Sequence, residues 1–130
     1  PMHVLQIAWE YPPYIVGGLG RHVAELLPAL AGEGVRLAVI APRLRDGPEE
    51  ELVDGVVVRR VPVPELRGGD YPAFVSAAAP ALVAAAAGLQ ADHGRFDLIH
   101  AHDWLASEVA ERLKHRWQVP LVATIHATER

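Results

Sequence analysis

VLQIAWEYPPYIVGGLGRHVAELLPALAGEGVRLAVI, residues 4–40, decides the fold. Val4–Trp9 is a short apolar run with little polarity, the pattern of a parallel strand covered on both faces. The breaker Tyr11–Tyr14 and the glycines Gly17, Gly18 and Gly20 follow, and a helix resumes at about Leu19 or Gly20. Val23, Leu26, Leu27 and Leu30 recur at helical spacing and leave Arg21, Glu25 and Glu33 outward. Gly32 and Gly34 end that helix, and Val35–Ile40 forms a second strand closed by Pro42. A strand, a glycine loop, a helix and a strand make a right-handed crossover between parallel neighbours.

Outward from this unit the pattern continues. Glu51–Val53 and Val56–Val61 flank Asp54-Gly55, a hairpin signal, and Pro62 and Pro64 make the second run short or close to an edge. LRGGD, residues 66–70, reads as a mobile surface loop. The alanine-rich stretch after Tyr71 is a helix anchored by Phe74, Val75, Leu82, Val83 and Leu89. Pro80 should kink or split it, and it should end near Gly88 or Gly94. Asp97–Ala101 is a strand and Asp103–His115 a helix packing through Trp104, Leu105, Val109 and Leu113. Val119 to about Ile125 is the last strand.

The alternation predicts an α/β three-layer sandwich with a mostly parallel sheet and a β-hairpin insertion around residues 51–61. In a doubly wound order the first strand lies between the second and the Asp97 strand, with the Val119 strand outside the latter. Ligands in such sheets bind at the carboxyl ends of the strands, where the winding reverses. VGGLG, HAHDW and HATE all fall on that edge.

Composition narrows the chemistry. At 130 residues, 51% hydrophobic and 22% charged, the chain is one ordered domain. A formal charge of −4 gives no footprint for a nucleic-acid partner. The absence of cysteine excludes disulfides, thiol catalysis and cysteine-ligated metals. The run His3–Ala8 lacks the layout of a signal peptide. Tyr71–Leu89 is alanine-rich and broken by Pro80, so the expectation is a cytoplasmic chain with no membrane-spanning segment.

Each edge segment has two readings. The glycines can turn tightly with no ligand, or bring the backbone and the first helical N–H groups to an anionic group. They match neither GxGxxG nor GxxxxGK[ST]. His100 and His102, if both extended, point to one side and could pair on a metal with His126 as third ligand; no metal is expected. Asp103 is placed either to cap the next helix or to meet a polar ligand. His126 can donate to a sugar or phosphate oxygen, Thr124, Thr128 and Glu129 can add contacts, and Glu10 is a further candidate beside the first strand.

Together, residues 9–42, DLIHAHDWLA (97–106) and PLVATIHATE (120–129) resemble the amino-terminal domain of glycogen and starch synthases. They are equally similar to the wider group of retaining glycosyltransferases with two Rossmann-like domains. The resemblance covers nearly the whole chain. It implies a GT-B architecture, with the active site in a cleft between an acceptor-side amino-terminal domain and a donor-binding carboxyl-terminal domain. On this resemblance Gly17, Gly18, Leu19 and Gly20 approach the donor diphosphate. Asp103 and His126 line the sugar subsite, His126 as the catalytic residue that orients the sugar or stabilises the transition state, while Glu10 and His102 are substrate-binding candidates from the residue reading. The donor is a nucleotide sugar, UDP-glucose or ADP-glucose, with no other cofactor, and the acceptor is a glycan. Many starch-type synthases carry lysine just before the glycines, where this chain has Ile15-Val16, so the resemblance leans toward the broader group. Residues 1–130 then form a single amino-terminal domain without its carboxyl-terminal partner, inactive alone. The alternative is a non-catalytic nucleotide- or sugar-binding module; a metal-dependent hydrolase using His100, His102 and His126 is a third.

Overall fold

A computed structural model describes residues 1–9, 18–43, 48–64, 71–103 and 106–125, with backbone alone for residues 18–22 and 71. In chain order the elements are β1 (His3–Ile7), α1 (Gly18–Gly32), β2 (Arg36–Pro42), β3 (Glu50–Val53), β4 (Val56–Val61), α2 (Tyr71–His93), β5 (Leu98–His102), α3 (Ser107–Trp117) and β6 (Leu121–Thr124). They build one six-stranded sheet in the order β3-β4-β2-β1-β5-β6. Every pairing is parallel except β3 with β4. β1 therefore lies between β2 and β5, with β6 beyond, as the apolar runs predict.

Two cores explain the three layers. Val4, Ala8, Leu37, Val39, Val56 and Val58 meet Val23 and Leu27 of α1 on one face. Leu5, Ile7, Ile40 and Ile99 meet α2 and α3 on the other, through Leu82, Ala86, Leu89, Val109 and Leu113. Alternate residues of β1 feed opposite cores, so all five of its positions are buried.

Several boundaries differ from the expectation, each for a physical reason. α2 runs unbroken through Pro80. The ring lies on the exposed side, while Ala78, Ala79, Leu82 and Val83 pin the helix to the sheet on either side of it. The helix ends at His93, and Gly94 takes φ 100, with its N–H donated to the Gln90 carbonyl. α2 also contains a stretch, Pro72–His93, long and apolar enough to cross a membrane; here its apolar side packs on the sheet.

β4 is an interior strand of six residues, since Pro62 and Pro64 fall beyond its last paired residue and β3 takes the edge. Asp54 (φ 49) and Gly55 (φ 84) form the hairpin turn, the positive angles that a two-residue connection needs. Arg59 bonds Glu50 of β3 and, at 2.9 Å, Asp92 of α2. Arg60, 2% exposed, bonds Glu51 Oε1 at 2.6 Å. These contacts fasten the hairpin to the domain. The LRGGD segment lies outside the described residues.

Candidate functional site

The carboxyl ends of β1, β5 and β6 share one edge of the sheet. Because α1 runs back from that edge, its first turn, Gly18-Leu19-Gly20, starts there. The first N–H groups of a helix have no partner within it and favour an anion. The glycines thus open the helix itself, in line with the expectation that it resumes within or just after them. Glu10, Gly17, Trp104, Leu105, His126, Thr128 and Glu129 lie outside the described residues.

β5 delivers the HxHD segment. His100 and His102 do point to one side, with ring centroids 4.1 Å apart. His102 is fully buried, its Nε2 2.6 Å from Gln6 Oε1 of β1. His100 Nε2 lies 2.7 Å from Thr124 Oγ1 of β6. Both Nε2 atoms are thus engaged within the fold. Among the described residues no group of three metal-ligating side chains comes together.

Asp103 follows at the end of β5 with φ 71, a left-handed backbone that aspartate tolerates better than most residues. Its N–H donates to the Thr124 carbonyl at 2.8 Å, and its own carbonyl accepts from the Ala106 N–H at 3.3 Å. The helix expected from Asp103 starts later. α3 begins at Ser107 with Ala106 as its N-cap residue and no side-chain cap bond, so Asp103 stands ahead of the helix rather than on it. Asp103, the residue after β5, thus lies at the sheet edge.

Gln6 escapes a motif-based reading altogether. Its signal was one amide inside an otherwise apolar strand, and only the strand register reveals its partner. At the opposite edge, His3 is occupied structurally. Its backbone N–H donates to Asp97 Oδ2 at 3.0 Å, Nδ1–H donates to the Arg95 carbonyl at 2.9 Å, and the ring stacks on Phe96 at 4.2 Å. Burial pushes its pKa below the usual histidine value. The Arg95 bond opposes that shift, as does Asp97, while Arg36 and His93 add to it. A groove of about 910 Å³ between α2 and α3, lined by Pro80, Val83, Glu111 and His115 among others, contains none of the described edge residues.

A mostly parallel sheet wound in both directions from β1, with a glycine-opened helix and the HxHD segment on its carboxyl edge, defines a Rossmann-like domain. The chain belongs to Glycosyltransferase Family 4, whose profile matches residues 16–130. It is 38% identical to a glycogen synthase of Mycobacterium tuberculosis over 98% of this chain and 34% of that protein. Among solved structures it resembles sucrose-phosphate synthase from Thermosynechococcus elongatus, with a TM-score of 0.74 and 19% identity over 98% of this chain and 33% of the other. The catalytic domain of starch synthase IV from Arabidopsis thaliana, bound to ADP and acarbose, aligns with a TM-score of 0.61. Its identity is 22%, over 96% of this chain and 34% of that one. The chain spans about a third of the length of each of these proteins.

Proposed function

We propose that this chain is the acceptor-side half of a retaining glycosyltransferase that moves a sugar, glucose in the simplest case, from UDP- or ADP-glucose to a glycan. The observation that carries the reading is the convergence of three segments on one sheet edge. These are the first turn of α1, Asp103 at the end of β5, and Thr124 at the end of β6, two residues before His126. The family match and the likeness to a structure holding ADP support a nucleotide-sugar donor.

The chemistry follows from the charge that sugar transfer develops. As the bond from the anomeric carbon to the diphosphate breaks, negative charge gathers on the leaving oxygen and positive charge on the sugar ring. The backbone N–H groups of Gly17, Gly18, Leu19 and Gly20 are suited to the first, since the helix terminus adds its own positive field. The Asp103 carboxylate accepts hydrogen bonds from sugar hydroxyls, and His126 orients the sugar and stabilises the transition state. Glu10 and His102 are further contacts to the substrate in this reading. The acceptor attacks from the face the diphosphate leaves, which retains the anomeric configuration. No cofactor beyond the donor takes part.

Preorganised groups must surround both charges. A second Rossmann-like domain in the same protein supplies the donor side, and residues 1–130 alone transfer little or no sugar. The protein works in the cytoplasm without nucleic acid, and α2 serves as a core helix rather than a membrane span. The test is the full-length protein carrying Asp103→Asn or His126→Ala. Each variant should lower kcat by about a hundredfold or more. Turnover within about twofold of the unmodified enzyme for both would refute the assignment.

A further inference from the structure

We infer that Gln6 and Thr124 are positioning residues for sugar transfer, acting through His102 and His100 to hold Asp103 at the sheet edge; this rests on the site proposed above. Gln6 stands in the central strand, 1% exposed, between Leu5 and Ile7. A buried amide weakens a core unless it is fully hydrogen-bonded, and a leucine or methionine of similar volume would pack there at no such cost. What the amide adds is geometry.

The contacts cross the strands diagonally. In the parallel register Gln6 faces His100 and Thr124 faces His102. Yet Gln6 bonds the ring of His102, and Thr124 bonds the ring of His100. The two imidazoles lie against each other between them. To the slanted backbone bonds of the parallel strands β1, β5 and β6, a brace of this kind adds two side-chain bonds that run across the register. With Gln6 Oε1 as acceptor, His102 Nε2 carries the proton, so the amide also selects the tautomer. The brace closes at the edge itself, where the Asp103 N–H donates to the carbonyl of the same Thr124. Thr124 is therefore gripped by its side chain and its backbone, and its backbone grip is on Asp103. Displacement of a positioned group by about 1 Å can cost on the order of a hundredfold in rate.

The experiment compares the full-length enzyme with its Gln6→Leu, Thr124→Val and Thr124→Ser variants. The donor is UDP- or ADP-glucose, the acceptor is glycogen, and assays run well below each variant's melting temperature. The expected result is a fall in kcat of about tenfold or more for Gln6→Leu and Thr124→Val, with KM for the donor within about threefold. Thr124→Ser, which keeps the hydroxyl, should return kcat to within about threefold of the unmodified enzyme. If Gln6→Leu does not fold, the valine–serine pair decides alone. An active enzyme whose Thr124→Val variant keeps its kcat, or changes only KM, overturns the positioning role and leaves the functional reading standing. The same holds if serine restores nothing. No transfer by the unmodified full-length enzyme overturns that reading and the positioning role with it.

Discussion

His3 and His102 are both buried histidines, and their surroundings give them different work. His3 is closed in by Phe96, the Arg95 carbonyl and Asp97 at the amino edge, where burial holds its proton affinity below the usual histidine value. Because the folded chain binds that proton less tightly than the unfolded chain, its contribution to stability is intact above the ordinary value of 6.5. It is lost as the pH falls from there toward the lowered one. Thermal melting between about pH 7.5 and about pH 5 should show declining stability, and His3→Gln should flatten that slope. An unchanged slope in the variant would place the titration elsewhere. At the other edge, the shared side of His100 and His102 was legible from alternation alone, since an extended strand repeats every two residues. Their partners were not. Gln6 is 96 residues from His102, and the pairing emerges only from strand register.

The helices and strands show where local signals suffice and where packing prevails. β1, α1 and β2 follow the spacing of Val23, Leu27 and the apolar runs to within about two residues at each end. Proline at position 80 was a weaker signal than it looked. It removes one helical bond, while Ala78, Ala79, Leu82 and Val83 hold the helix in place around it. The start of α3 was misplaced because Asp103 has the composition of a cap but a left-handed backbone, which a sequence does not display. Two glycines separate backbone demand from space. A Cβ at Gly94 or at Gly32 would meet no atom within 4 Å, but Gly94 has φ 100 and Gly32 lies in ordinary helix. In urea titrations Gly94→Ala should cost about 1–2 kcal/mol. Gly32→Ala should be neutral or stabilise by up to roughly 1 kcal/mol. Equal effects at the two sites would contradict the assignment of the Gly94 turn.

For the whole molecule, the sheet order is the decisive feature. The order β2-β1-β5-β6 was legible because connections of this type are right-handed, whereas the parallel placing of β4 beside β2, with β3 at the edge, was not, since the hairpin reads locally as an insertion. The same order gathers the first turn of α1 and Asp103 at one edge. On the function proposed above, residues 1–130 hold half of a sugar-transfer site. The direct measurement is transfer from UDP- or ADP-glucose to glycogen by the full-length protein and by residues 1–130 alone, side by side. The expected result is retaining transfer by the full-length protein and a rate lower by at least about a thousandfold for the 130-residue chain. Comparable turnover by the chain alone, or none by the full-length protein, would contradict it.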